Sequence, residues 1–436
     1  MSPTPAAGPN PANEPAEASS LFRYWQIRTL VATMFGYAAF YFVRKNLSFA
    51  MPEMEKDLLL SKASLGLFLT LHGVLYGISR FVNGVWADRC NARYFMVAGL
   101  LLSVGANVFF GFSSTVLWLG VAWMINGWVQ GMGFPPCCRL MTHWFHPSRL
   151  ASNMAVWNTS HTIGAALASV ACPYFLYLGW RWCFFGPAIL CTVAGLILFI
   201  LLRDTPRSVG LPEIVVAGAK PGDDTDRSSA AYKAFVKRQV FQNPFIWWIS
   251  LANFFVYVLR FAVLDWGPTL LKEMKHFSVQ KSGFMVGAFE VAGLIGMLLA
   301  GWITDRFFQG RGSRTCVFCM IGASTSLFLF WQFGSTPATA TAFLAAAGFF
   351  IYGPQALIGI TAANLATRRA AATAAGFTGL FGYLSTIVSG WGLGRLVQEA
   401  GWNVAFGALL GLGALGTFMF ILAWPAKAHG YQSAPA

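Results

Sequence analysis

Long apolar segments follow one another along almost the whole chain, and they constrain its fold more than any other feature. Several run about 20 residues with few or no charges, the length that crosses the hydrocarbon core of a bilayer as an α-helix. Charged residues make up only 11% of the 436 residues, whereas soluble domains carry roughly 25%. The sequence therefore predicts an integral membrane protein built from α-helices in the lipid bilayer.

The apolar segments predict an all-α fold of twelve transmembrane helices in two pseudo-symmetric bundles of six. The predicted spans are 27–50, 63–87, 94–112, 116–141, 152–177, 182–202, 244–271, 282–305, 315–333, 338–364, 372–397 and 403–424. The larger units are predicted as a disordered tail at 1–20, a first bundle at 21–202, a central cytoplasmic loop at 203–243, a second bundle at 244–425 and a tail at 426–436. Residues 1–20 lack a basic region before a short apolar stretch, so we do not interpret them as a signal peptide.

Basic residues concentrate in alternate connections between the spans. They are Arg89, Arg93, Arg149, Arg306, Arg311, Arg314, Arg368 and Arg369. Because arginine and lysine are enriched in cytoplasmic loops, we expect these connections and both termini to be cytoplasmic, with the protein in the inner (plasma) membrane. Topology also accounts for the net charge of +14, so nucleic acid is not an expected partner.

The sequence offers little support for catalysis, a metal or a cofactor. Cys316 and Cys319 have the spacing of a redox or metal pair, but no second pair and no histidine follow nearby, so the eight cysteines are interpreted as buried thiols. The phosphate-cradling G-x-x-x-x-G-K-[ST], H-E-x-x-H and G-x-S-x-G motifs are absent from the sequence. We therefore expect a carrier rather than an enzyme, without cofactor or metal.

The two halves of the chain repeat each other. "GVWADR" ends the second predicted span and "GWITDR" the eighth, so Asp88 and Asp305 lie 217 positions apart (305 − 88). Arg44 and Arg260 lie in the first span of each half at nearly the same offset, 216 positions (260 − 44). The repeat therefore gives both halves an arginine at an equivalent buried position.

Two buried arginines predict a site for a multivalent anion. An arginine at the centre of a spanning helix costs about 2.5 to 3.5 kcal/mol and almost always faces the bundle interior or a water-filled cavity. In duplicated transporters, the substrate site lies near the midplane between the halves. Guanidinium binds phosphate or carboxylate in a fork, and one arginine would satisfy a carboxylate. Arg44 and Arg260 together therefore favour a phosphate group.

Other polar residues lie inside the predicted spans, and each is either a candidate for the same site or a residue with a structural role. Arg80 either contributes to binding or extends to the membrane interface, and His161 either lines the cavity or packs through a hydrogen bond. Lys45 either lines the cavity entrance or braces a neighbouring helix. Asp265 and Glu290 are candidates to balance buried cations. Tyrosines that could donate hydroxyl groups to a phosphate or sugar are Tyr37, Tyr41, Tyr76, Tyr257, Tyr352 and Tyr383.

The repeated G-x-x-x-D-R motif is interpreted as a brace on the gate side of each half rather than as part of the substrate site. Gly84 and Gly301 are expected to permit close helix approach. The charged pairs that would cap or bridge helix ends are Asp88 with Arg89 and Asp305 with Arg306.

Five motifs in order carry a family resemblance: "YFVRKNLSFAMP", "VWNTSHTIGAA", "RDTPRSVGLP", "FVYVLRFAVLDWGPT" and "TAAGFTGLFGYL". With the paired D-R motifs, they resemble the major facilitator superfamily and, within it, the organophosphate:phosphate antiporter family. The resemblance implies exchange of a sugar phosphate such as glucose 6-phosphate, or of glycerol 3-phosphate, for inorganic phosphate by alternating access, in a monomer.

The same resemblance assigns roles to individual residues. It implies that Arg44 and Arg260 bind the phosphoryl group, with His161 nearby. It also implies a cavity lined by Tyr37, Tyr41, Tyr76, Trp157, Asn158 and Tyr257. Family carriers often have lysine at the position of Arg80, which keeps the charge and changes its geometry.

A second set of motifs leaves open whether the protein is a transporter or a sensor. "FRYWQIRTL", "ADRCNARYFM", "GPQALIGITAAN" and "GWGLGRL" look most like the hexose-phosphate sensor subgroup of the family. Members of that subgroup bind external glucose 6-phosphate and signal to a membrane histidine kinase. Because both branches share the site and the fold, the site residues alone do not separate them.

Overall fold

The computed structural model describes residues 16–87, 89–145, 147–214 and 230–426. The α-helices of this part of the chain are α1 (Ala16–Asp57), α2 (Lys62–Ala87), α3 (Ala92–Phe112), α4 (Val116–Gln130), α5 (Phe134–Trp144), α6 (Pro147–Phe175), α7 (Trp182–Leu201), α8 (Ala230–Val236), α9 (Pro244–Glu273), α10 (Val279–Phe308), α11 (Gly312–Phe333), α12 (Pro337–Leu384) and α13 (Leu393–Leu422). Short 3-10 turns lie at Leu176–Leu178 and Pro206–Val209, and π-helical turns at Lys237–Phe241 and Ile387–Gly392.

The helices cross the membrane twelve times, which confirms the predicted count. Nine segments of the described chain are long and apolar enough for a crossing. One of them, Thr373–Leu422, has 50 residues and contains Gly401 with a φ of 78°, so it makes two crossings. The charged helix α1 supplies another, and α4 with α5 supplies the twelfth (9 + 1 + 1 + 1).

Helix ends differ from the prediction at two places. The predicted span 116–141 is broken between α4 and α5, where Pro135 and Pro136 open α5; proline fits a first helical turn because its missing N–H would have no partner there. In contrast, α12 continues through the connection expected after residue 364. The sequence "ATRRAAATAAG" explains this continuity because alanine and arginine are strong helix formers.

An even number of crossings places both ends of the described chain on one side, here called the terminal face. The other side is called the far face. On the far face the two halves are closed against each other: Thr70 in α2 donates to the carbonyl of Thr386 at 2.7 Å, and Gly66 lies against the backbone of Gly390. Lys62 pairs with Glu273 at 3.0 Å across the same boundary.

Toward the terminal face the packing is open. A Cβ built on Gly84 of α2, or on Gly376 or Gly379 of α12, meets no atom within 4 Å. Gly84 lines a cavity of about 340 Å³ that opens on this side. The expected close approach at Gly84 and Gly301 is therefore wrong for this conformation, since Gly301 has no atom within 4 Å of a built Cβ either. The molecule is closed at the far face and open at the terminal face.

Candidate functional site

Arg44 of α1 and Arg260 of α9 lie in the interior of the bundle, each on the first helix of its half. The Arg44 guanidinium lies over the ring of Tyr76, 4.0 Å from its centroid. Arg260 is 5% exposed, and its Nη2 donates to the Tyr352 hydroxyl at 3.0 Å. Aromatic faces compensate part of the cost of burying a guanidinium.

A chain of three rings connects the two arginines across the boundary between the halves. The Tyr41 ring lies 5.6 Å from the Arg44 guanidinium and 6.1 Å from the His161 ring. His161 in turn stacks on Tyr352 at 6.2 Å between centroids, and Tyr352 accepts from Arg260. His161 is thus placed between the two arginine environments, with its Nδ1 bonded to the carbonyl of Asn158.

Acidic side chains partly balance the buried cations. Lys45 Nζ lies 2.6 Å from Asp265 Oδ1, and this pair joins α1 to α9. Tyr352 donates to Glu290 Oε2, so Glu290 is linked to Arg260 through the tyrosine hydroxyl. Lys45 and Asp265 are both buried, which makes them an interhelical brace in this conformation.

Two polar atoms of this cluster have no partner within the described chain. They are Arg260 Nε and Glu290 Oε1, and both are buried. Buried polar atoms are normally hydrogen-bonded to protein or water. An open donor on a buried guanidinium is the arrangement that an anionic ligand would complete.

Aromatic residues of the first half form one wall of the site. Tyr37 packs on Trp157 at 4.8 Å and on Tyr41 at 5.8 Å. Phe134, the first residue of α5, contacts Trp157 at 5.5 Å between ring centroids. The Asn158 side chain extends to the second half, where Nδ2 lies 3.8 Å from Met297 Sδ.

Arg80 lies on the terminal side of the cluster. Its guanidinium stacks on Phe134 at 3.7 Å, and Nη1 donates to the Tyr383 hydroxyl at 2.8 Å. Tyr383 also contacts Tyr76 at 5.1 Å and Tyr257 at 6.2 Å. Arg80 therefore bridges the two halves within the bundle, and it lines the cavity that opens toward the terminal face.

The D-R motifs lie outside this cluster. Arg89, Asp305 and Arg306 are exposed at the terminal ends of α2 and α10. Asp88 falls outside the described residues. Their role as a gate-side brace stays a prediction.

Sequence reasoning missed Phe134 as part of the site and did not single out Tyr352 among the tyrosines. Both residues touch a glycine-proline step in the middle of a span, Gly133-Phe134-Pro135 and Tyr352-Gly353-Pro354. The sequence signal that could have identified both residues is therefore the glycine-proline step, which occurs in both halves and lies next to an aromatic residue of the site each time.

The fold, with twelve crossings in two repeated halves, is that of a membrane transporter. The sequence model described as "Major Facilitator Superfamily" matches residues 33–390, and the chain belongs to that superfamily. A "Probable hexose phosphate transport protein" of Chlamydia muridarum is 40% identical over 95% of this chain and 94% of its own. The "Glycerol-3-phosphate transporter" of Bacillus subtilis is 36% identical over 94% of each chain. The resemblance to the organophosphate:phosphate antiporter family is thereby confirmed.

A sensor is also among the relatives. The "Membrane sensor protein UhpC" of Salmonella typhimurium is 36% identical over 92% of each chain. Among solved structures, a bacterial homolog of the human lysosomal transporter Spinster, described as inward-facing and unoccupied, superposes with a TM-score of 0.77 at 15% identity, covering 92% of this chain and 97% of that one. At that identity, the likeness supports the fold alone.

Proposed function

We propose that this protein exchanges a phosphorylated organic substrate, a hexose phosphate or glycerol 3-phosphate, for inorganic phosphate across the inner membrane. The observation that carries the proposal is the open, buried Nε of Arg260 in a cluster that also contains Arg44. A phosphate group has enough oxygens to engage both guanidinium groups. The named transporters among the relatives support the same substrate class.

Phosphate binding would change the balance of charge between the halves. The Tyr352 hydroxyl connects Glu290 to Arg260 through two hydrogen bonds, while the Arg44 guanidinium lies against tyrosine rings. A dianion entering from the terminal face would pass Arg80 and bridge Arg44 and Arg260. The positive charges of the two halves would then be neutralised together, which favours closure around the ligand.

Release on the other side requires the far face to open. The contacts that must break include the ion pairs Lys45–Asp265 and Lys62–Glu273, at 2.6 and 3.0 Å. Both join the first half to the second. An empty carrier returns with uncompensated buried charges, so we expect exchange to be faster than net transport.

For orientation, we propose that the terminal face is cytoplasmic. The exposed arginines Arg89 and Arg306 lie on this face, and basic residues favour the cytoplasmic side. In that orientation the structure is open to the cytoplasm and closed to the outside.

Counterflow in proteoliposomes tests the proposal. Vesicles loaded with unlabelled phosphate should take up labelled phosphate, and external glucose 6-phosphate or glycerol 3-phosphate should compete. Arg260→Lys should reduce exchange at least tenfold, because lysine keeps the charge and loses the fork. Arg93→Lys, at a half-buried arginine that contacts Phe199 and lies outside the site, is the matched control. Full exchange by Arg260→Lys would contradict the site.

A sensor is the second candidate, favoured by the similarity to the membrane sensor protein over almost its whole length. It would bind external glucose 6-phosphate and signal to a membrane histidine kinase. Saturable binding of glucose 6-phosphate by purified protein that shows no counterflow would support the sensor over the exchanger.

A further inference from the structure

A second cavity, of about 810 Å³, lies on the far face, away from the arginine cluster. It is formed by the end of α1, the turn between α6 and α7, and the first turn of α10. The residues that line it are Glu53, Lys56, Asp57, Leu176, Tyr177, Leu178, Gly179, Trp180, Arg181, Trp182, Phe185, Val279 and Gln280. The cavity therefore spans the boundary between the two halves.

Two cations line this cavity and remain accessible. Lys56 is exposed, and the structure shows no ion pair or hydrogen bond for its amino group within the described chain. The Arg181 guanidinium stacks on Trp180 at 4.3 Å and donates to Ser114 at 3.0 Å. These contacts orient the guanidinium while its side chain stays 37% exposed.

The carboxylates at the cavity already have donors. Glu53 pairs with Lys272 of α9, and Asp57 Oδ2 accepts from Trp180 Nε1 at 2.6 Å. Arg181 lies farther from Asp57, at 3.5 Å. With Glu53 paired to Lys272 and Asp57 paired to Arg181, Lys56 is the lining cation that has no carboxylate partner within the described chain.

Aromatic rings supply the remaining wall. Tyr177 is 74% exposed and Trp182 39% exposed, and Phe185 lies beside them at the cavity. Such rings pack against the apolar faces of a sugar ring or a glycerol backbone, and they also occupy the membrane interface. A cation pair beside aromatic rings fits an anionic group attached to a carbon skeleton.

We propose that the far-face cavity binds a phosphate ester, at a site separate from the Arg44–Arg260 cluster. Arg181 and Lys56 contact the phosphate, and Tyr177 and Trp182 pack on the attached skeleton. Two sources offer this chemistry, namely a free sugar phosphate on that side and the headgroup of a phospholipid in that leaflet.

The position of the site connects it to the closed far face. Gln280 of α10 donates to the carbonyl of Pro173 of α6 at 3.4 Å, and the Glu53–Lys272 pair joins α1 to α9 beside the cavity. The four residues proposed to hold the ligand belong to the first half, and Val279 and Gln280 of α10 border the same cavity from the second half. The ligand would therefore lie beside the contacts that join the halves on the far face.

Equilibrium binding separates the two sites. Full-length protein carrying Arg44→Ala and Arg260→Ala is delipidated in a detergent without phosphate groups and titrated with radiolabelled glucose 6-phosphate. We expect residual saturable binding, whose affinity falls about tenfold or more when Lys56→Gln and Arg181→Gln are added. Lys281→Gln is the control, because Lys281 is exposed near the same face and does not line the cavity.

A lipid arm uses the same variants without substrate. Native mass spectrometry after addition of phosphatidylethanolamine or phosphatidylglycerol should show one retained phospholipid, which the Lys56→Gln, Arg181→Gln protein loses. Cooperative thermal unfolding checks that each variant is folded. Tyr177→Ala removes one aromatic ring from the cavity and tests the proposed packing contact separately from the two cations. Loss in either arm supports the proposal and identifies the source.

Equal retention of both ligands by the cavity variants, or no retention by any folded protein, would overturn the proposal. Because the binding background lacks the two central arginines, the result does not depend on whether the protein exchanges phosphate. Failed counterflow and a failed far-face site are therefore distinguishable.

Discussion

Lys45 and Asp265 form a buried ion pair of 2.6 Å that ties the first helix of one half to the first helix of the other. The residues are adjacent to Arg44 and five positions after Arg260, respectively. The cations of the central cluster thus belong to two groups. Arg44 and Arg260 are held mainly by aromatic rings and a hydroxyl, whereas Lys45 has a carboxylate of its own.

Asp265→Asn should destabilise the protein and reduce exchange. Removing one partner leaves a buried charge uncompensated, which costs about 3 kcal/mol or more. Thermal unfolding in detergent and counterflow measure the two effects. Glu399→Gln is the control, since Arg395–Glu399 is an exposed pair within one helix, where little change is expected. An unchanged melting temperature for Asp265→Asn would show that the pair is not a brace.

Tyr352→Phe should weaken phosphate binding. The hydroxyl accepts from Arg260 and donates to Glu290, so its loss lets the carboxylate compete directly for the guanidinium. We expect the KM for phosphate exchange to rise about tenfold, the equivalent of one lost charged hydrogen bond. Tyr174→Phe, at an exposed tyrosine, is the matched control. A KM equal to that of the unmodified protein would exclude this relay.

Arg80→Lys should retain most of the exchange activity, and Arg80→Met should lose it. Lysine keeps the charge and one donor for the Tyr383 hydroxyl, while methionine keeps only the volume over Phe134. We expect a loss of a few fold for lysine and of about 100-fold for methionine, which corresponds to nearly 3 kcal/mol. Initial rates of counterflow distinguish them. Similar rates for both variants would assign Arg80 to packing alone.

Gly66→Leu should prevent closure of the far face. A Cβ at Gly66 would lie 2.9 Å from the backbone carbon of Gly390, and backbone cannot move aside as a side chain does. The population should shift away from the conformation described above. Maleimide labelling of Cys138, which lines the terminal cavity, should fall in a Cys90→Ala background.

Gly105→Leu provides the comparison for that experiment. It makes the same change within a helix, but a Cβ at Gly105 meets no atom within 4 Å. Its Cys138 labelling should match that of the parent protein. Equal labelling of the Gly66 and Gly105 variants would mean that the Gly66–Gly390 contact does not hold the far face closed.

The sequence by itself determined the membrane class and the twelve crossings, and it singled out two arginines as the candidate site. Apolar length and the low charge content are properties of the chain alone, and the repeat at an offset near 216 (260 − 44) marked Arg260 as the counterpart of Arg44. The bounds predicted for the two bundles and the loops stay predictions.

Only the tertiary structure decided which side chains meet. Lys45 and Asp265 are separated by 220 positions, and no local periodicity reveals that they pair. The chain of three rings, Tyr41, His161 and Tyr352, forms because three helices pack together at the boundary between the halves. Local sequence patterns determine which segments enter the membrane, because the free energy of moving a residue into lipid depends mainly on that residue's own side chain. The partner of each buried charge is set by helix packing, which brings distant segments together.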